Sequence, residues 1–166
     1  MKRISILFVC MGNICRSPLA EGILSHLVDE AGFTNRFQID SAGTGGWHVG
    51  GHPDRRSIAI ARDHGIDISR QRARQIRTTD FSDFNLILAM DSANIAELHR
   101  IRPQAANIRL FGDFALASGE DIPDPYYGGS DEFELVYARL FTGCRKLLET
   151  LGADNASWSG KISSVR

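Results

Sequence analysis

Ile4-Ser5-Ile6-Leu7-Phe8-Val9 constrains this chain more than any other stretch. A nearly continuous apolar run, rich in β-branched residues, suits a strand buried on both faces, and such strands belong to parallel sheets. The run ends at Cys10, and after a short loop Ser17-Pro18 has the form of a helix start. Ser17 is placed to cap that helix, and Pro18 falls in the first turn, where a missing N–H costs nothing. The helix is predicted to run to Ala31 and stop at Gly32.

The same alternation continues downstream. A second strand is predicted from Phe37 to Ser41, then a helix that begins at Pro53, carries Ile58, Ala59 and Ala61 and ends at His64-Gly65. Leu86-Ile87-Leu88-Ala89-Met90 reads as a third core strand, Asp91-Ser92 as the cap of a helix to Arg102, and Ile108 to Phe111 as a short fourth strand. Phe133, Val136, Leu140, Cys144, Leu147 and Leu151 recur at helical spacing and predict a final helix over 131–151. Strands alternating with helices imply an α/β fold: a parallel sheet of about four strands with helices on both faces. Residues 1–152 form one predicted domain, and 153–166 read as a loose tail.

Composition sets limits on partners. The formal charge of −1 offers no basic field for nucleic acid, and no apolar stretch approaches the ~18 residues of a membrane span. The first apolar run lacks a small-residue cleavage site and reads as a strand rather than a signal peptide. Three cysteines cannot all pair within one chain, which points to free thiols in a reducing, cytoplasmic compartment.

Cys10-Met11-Gly12-Asn13-Ile14-Cys15-Arg16-Ser17 joins the first strand to the first helix, and that position carries the chemistry. Ligands of open α/β sheets bind at the carboxyl ends of strands, where the next helix presents free N–H groups suited to an anion. Five residues between Cys10 and Arg16 can wrap a nest of inward N–H groups around a tetrahedral oxyanion, with Gly12 and Asn13 tolerating positive φ. Arg16 would close the ring with a planar fork for two phosphate oxygens. Such a field favours the thiolate, the nucleophilic form of a cysteine. Ser17 is close enough in sequence to hydrogen-bond that sulfur and stabilise it as a leaving group. A cysteine at a strand end is by itself most often a core residue. The arginine spacing, the glycine and the helix start together outweigh that reading.

Here the sequence resembles the low-molecular-weight protein tyrosine phosphatases. Val9 to Glu21 is similar to the family signature almost residue for residue. Asp40-Ser41-Ala42-Gly43-Thr44, His64-Gly65-Ile66, Ala73-Arg74-Gln75, Ala89-Met90-Asp91 and Asp124-Pro125-Tyr126-Tyr127 follow in the family's order. The resemblance implies Cys10 as nucleophile, Arg16 as phosphate clamp and Asp124 as general acid. It implies Met11, Gly12, Asn13, Ile14, Cys15 and Ser17 as the phosphate loop, with Asn13, Ser17 and Ser41 as its supports. The family often carries a histidine shortly after its His-Gly-Ile segment, where this chain has Ser69-Arg70-Gln71-Arg72.

Asp124 makes sense independently, because a leaving phenolate needs a proton, and the flanking Pro123 and Pro125 stiffen its loop. Trp47, Tyr126 and Tyr127 lie in glycine-rich segments and are expected to form a rim that sandwiches an aromatic substrate ring. Ile14 adds an apolar wall where phosphoarginine-directed members of the family tend to have threonine. The expected substrate is a phosphotyrosine protein, with inorganic phosphate or other oxyanions as inhibitors. No metal or cofactor is expected: His48 and His52 share no ligand spacing with a cysteine or carboxylate. Asp91 reads as a helix cap and Cys144 as a core residue, while Cys15 is either a redox guard for Cys10 or a space-filler behind the loop. An arsenate reductase would need two further cysteines near mid-chain, and none lies between Cys15 and Cys144. A phosphate-binding adaptor would need neither nucleophile nor acid.

Overall fold

The computed structural model describes residues 3–152; the predicted tail at 153–166 lies outside the described residues. Four strands form one parallel sheet in the order β2-β1-β3-β4. They are β1 (Ile4–Cys10), β2 (Phe37–Gly43), β3 (Leu86–Ala89) and β4 (Ile108–Leu110). The helices are α1 (Arg16–Glu30), α2 (Arg55–Asp63), α3 (Asp80–Asp83), α4 (Ser92–Ile101), α5 (Phe111–Phe114) and α6 (Ser130–Gly152).

Every residue of β1 is buried, as its apolar run requires. Alternate side chains feed two cores: Ile4, Ile6, Phe8 and Cys10 pack with α1, α2 and α6, while Leu7 and Val9 pack with Phe81, Phe84 and Leu98 of the α3–α4 side. Helices on both faces therefore follow from period-two alternation along one doubly buried strand. The polar exception, Ser5, satisfies its hydroxyl on Asn85 Oδ1 at 2.9 Å.

The helix ends depart from expectation in instructive ways. Gly32 takes φ 75°, and the N–H groups of Gly32 and Phe33 close on Asp29 O and Val28 O, so α1 stops in a Schellman turn. Ser17 does not cap α1: the helix already begins at Arg16, Cys15 holds the cap position, and no side chain caps it. The hydroxyl of Ser17 is engaged inside the loop instead. Asp54, rather than Pro53, starts α2 by accepting from Arg56 N at 2.8 Å. Asp91 caps α4 as expected, completing a capping box with Asn94. The strands β3 and β4 each end one residue early, and Phe111 opens the single turn of α5.

Candidate active site

The chain leaves β1 toward β2 on one side and later returns to β3 on the other, so the loop after β1 sits at the switch point of the sheet, where open α/β folds bind ligands. Asn13 at φ 56° lets this loop curl back on itself. Its buried amide is fully used: Nδ2 donates to Ser17 Oγ at 2.8 Å and to Ser41 Oγ at 3.0 Å, and Oδ1 accepts from Arg74 N at 3.0 Å. Ser41 in turn donates to Glu21 Oε1 at 2.8 Å. One amide thus ties the loop to α1, β2 and the segment before α3. The first turn of α1 is also held from that segment, by Gln71 Nε2 on Pro18 O at 3.1 Å. The backbone of Arg74 and the side chain of Gln71 are the supports present where the family often has a histidine.

β2 fixes the loop from below. Thr44 N donates to Cys10 O and Gly45 N to Met11 O, both at 2.9 Å. A Cβ on Gly43 would sit 2.8 Å from Met11 O, so only glycine lets the loop lie this close to the strand. Cys10 Sγ, 3 % exposed, lies 3.0 Å from Ser17 Oγ.

Arg16 is buried almost completely, with its charge arranged by three neighbours. Nη1 donates to Asp91 Oδ2 at 2.6 Å and to Ile122 O at 2.8 Å, while Nη2 lies 3.7 Å from Asp124 Oδ2. Nη1 is consumed by the protein; among the described residues no hydrogen bond engages Nε or Nη2. That edge of the guanidinium is the one a bidentate oxyanion would use.

These groups open into one cleft of about 270 Å³, floored by Cys10, Gly12, Ile14, Cys15 and Arg16. Its walls are Met11, Trp47, His48, Asp124, Tyr126 and Tyr127. Trp47 is 72 % and Tyr127 96 % exposed, and the Tyr126 and Tyr127 rings meet edge to face at 4.9 Å. All expected site residues except Ser41 line the cleft or, for Asn13 and Ser17, support its floor; Ser41 stands one hydrogen bond behind Asn13. Burial, reinforced by the nearby Asp54 carboxylate, pushes the Cys15 thiol up to about 12. Burial also pushes Glu21 up to about 7, against the hydrogen bond from Ser41. Cys144 is buried in the core, its thiol raised by desolvation alone.

Sequence reasoning missed four contributors. His48 lines the cleft beside Gly12, Arg74 and Glu21 brace the loop from behind, and Asp91 orients Arg16 besides capping its helix. For Asp91 a signal existed: a carboxylate at the carboxyl end of β3, adjacent to β1, must face the same edge as Arg16.

A parallel sheet whose inner strand delivers a cysteine into a tight strand-to-helix loop, with a buried arginine at the loop's end, is the architecture of an α/β phosphatase. Residues 5–157 match the low molecular weight phosphotyrosine protein phosphatase family, and the chain belongs to that family. It is 44 % identical over 154 residues to the low molecular weight phosphotyrosine protein phosphatase of Schizosaccharomyces pombe, covering 90 % of this chain and 98 % of that one. The crystal structure of YfkJ from Bacillus subtilis superposes with a TM-score of 0.85 at 40 % identity, covering 92 % of this chain and 96 % of that one. A Drosophila arginine phosphatase matches with a TM-score of 0.82 at 35 % identity over 93 % of this chain and 99 % of that one. Among the described residues no helix is long and apolar enough to cross a membrane.

Proposed function

We propose that the protein hydrolyses phosphotyrosine in proteins through a phosphocysteine on Cys10. The observation that carries this reading is that one cleft gathers Cys10, Arg16 and Asp124 under the aromatic walls Trp47, Tyr126 and Tyr127.

The phosphoryl oxygens enter the loop, where the first N–H groups of α1 and the free edge of Arg16 bind them. The Cys10 thiolate attacks phosphorus as the P–O bond to the phenol breaks. The departing electron pair stays on the phenolic oxygen, which takes a proton from the Asp124 carboxylic acid. Arg16 follows the charge that gathers on the equatorial oxygens. Water then attacks the phosphocysteine, Asp124 takes up its proton, and the S–P bond breaks to return the thiolate and release inorganic phosphate. Ser17 stabilises the leaving sulfur. Inorganic phosphate and similar oxyanions compete for the loop as inhibitors, and the free thiols suit a cytoplasmic setting.

Likeness to an arginine phosphatase makes phosphoarginine the second reading. The Ile14 side of the cleft and the aromatic rim favour the tyrosine ring. The test compares turnover of phosphotyrosine, phosphoarginine and phosphoserine peptides by the wild type and by Cys10→Ser. Phosphotyrosine is expected to turn over fastest, and Cys10→Ser not at all. Preference for phosphoarginine would overturn the substrate, and turnover by Cys10→Ser within tenfold of wild type would overturn the mechanism.

A further inference from the structure

Asp124 lies on a connection, residues 115–129, that contains no helix or strand. Its two ends are held differently. Before Asp124 the anchors are several: Ile122 N donates to Met90 O at 2.8 Å, Ile122 O accepts from Arg16 Nη1, and Ser92 N and Oγ both donate to Asp121 Oδ1. After Asp124, among the described residues, the hydrogen bonds that reach residues 125–128 from elsewhere in the chain come from Arg56 alone. Its Nη2 donates to Tyr126 O at 2.9 Å and its Nη1 to Gly128 O at 3.2 Å.

Arg56 is itself held at several points. Asp54 takes its Nε and Nη2 in a two-point pair, each at 3.0 Å, and accepts its backbone N–H as well. The guanidinium lies over the Phe133 ring at 4.5 Å and beside Tyr126 at 5.6 Å. Asp54 N then donates to Ile14 O, in the phosphate loop, at 2.7 Å. A continuous chain therefore runs from the loop that cradles phosphate, through Asp54 and Arg56, to the backbone that carries Asp124. Asp54 is held below the ordinary carboxylate range, chiefly by its hydrogen bond from Arg56, so the pair stays ionised at neutral pH.

We propose that Arg56 is a positioning residue for the phosphatase reaction: a strut that sets the distance between the phosphate loop and the proton-donating carboxyl of Asp124. The inference rests on the reading of Asp124 as general acid. Bridging needs a planar fork. An ammonium at the same place is a single point that cannot keep the Asp54 pair and two carbonyls at once. Without the strut the fold stands and the oxyanion still binds, but the acid is misplaced, and a displacement of about 1 Å can cost roughly a hundredfold in rate.

The experiment measures kcat/KM for Arg56→Ala, Arg56→Lys, Asp124→Ala and the Arg56→Ala/Asp124→Ala double variant. The substrates are a phosphotyrosine peptide, whose leaving group needs a proton, and p-nitrophenyl phosphate, whose leaving group does not. Arg56→Ala is expected to lose roughly 10- to 100-fold on the peptide. Its loss on p-nitrophenyl phosphate is expected to be much smaller, and inhibition by inorganic phosphate unchanged. Arg56→Lys falls between, and serves if the alanine protein fails to fold. In the Asp124→Ala background, Arg56→Ala should cost nothing further, since there is no acid left to position. If Asp124→Ala discriminates between leaving groups but Arg56→Ala does not, or if their losses multiply, Arg56 is a structural staple and the strut is overturned. If Asp124→Ala itself costs the same on both substrates, the acid is elsewhere and both readings fall.

Discussion

Ser17 Oγ lies 3.0 Å from Cys10 Sγ while accepting a hydrogen bond from Asn13 Nδ2 at 2.8 Å. Since the amide already supplies a donor to that oxygen, the hydroxyl hydrogen is free to point at the sulfur. The sulfur is then met by an O–H dipole fixed from behind. The arrangement matters most when the sulfur must leave phosphorus. Ser17→Ala is expected to slow breakdown of the phosphocysteine more than its formation, so the covalent intermediate accumulates. Rapid-quench trapping of the phosphoenzyme checks this. A phosphoenzyme level equal to that of the wild type would assign Ser17 to loop support alone.

Trp47 covers Gly45, where a Cβ would collide with its indole ring, yet most of the side chain faces solvent. An exposed ring at the mouth of a phosphate site contributes to the aromatic part of a substrate and not to its oxyanion. Trp47→Ala is expected to raise KM for phosphotyrosine peptides several-fold with little change in melting temperature or in inhibition by inorganic phosphate. Parallel weakening of peptide and phosphate would make Trp47 a support of the loop instead.

Glu21 supplies a pH signature. Its folded pKa, about 7, lies above the ordinary 4.5, so the folded protein binds this proton more tightly than the unfolded chain does. The associated stability is fully present below about 4.5 and is lost as pH rises through about 7. Arg74 opposes the shift, and the Asp40 carboxylate on β2 reinforces it. Melting temperatures of the wild type and Glu21→Gln, compared from pH 4.5 to 8, should converge at the acid end and separate toward pH 7, with the glutamine protein the more stable. A constant difference across that range would show that Glu21 does not titrate there.

Much of this site was legible because its chemistry is local in sequence. Cys10, Asn13, Arg16 and Ser17 fall within one loop and the helix start it feeds, and the doubly buried run before them fixes where that loop sits. What escaped the sequence lies in pairs distant along the chain. Arg74 reaches Asn13 across 61 positions, and Arg56 reaches Tyr126 across 70. Nothing in either segment marks its partner. Ser before Pro is a strong capping signal, yet Cys15 holds the cap position of α1; the Ser17 hydroxyl lies on the Cys10 sulfur, the use that its place seven residues after the nucleophile also predicts. The helices at Asp80–Asp83 and Phe111–Phe114 are single turns held by tertiary packing, too short to leave a periodic pattern.

Cys15 is the one thiol in the cleft besides Cys10, and the phosphate chemistry leaves it unused. With its thiol pushed up to about 12, it is protonated at neutral pH and a poor target for peroxide, which attacks thiolates. Cys10, the nucleophile of the proposed reaction, is the expected site of oxidation: its sulfur attacks peroxide, the O–O bond breaks with loss of hydroxide, and a sulfenic acid forms. Cys15 is expected to capture the sulfenic sulfur: the S–S bond forms as the S–O bond breaks, and the oxygen leaves with the Cys15 proton as water, which would halt oxidation at a stage a dithiol can reverse. After brief peroxide treatment and then dithiol, the wild type should recover most of its activity and Cys15→Ser little, while Cys144→Ser, whose thiol is buried in the core, should behave as wild type. Equal recovery of wild type and Cys15→Ser would leave Cys15 as packing behind the loop.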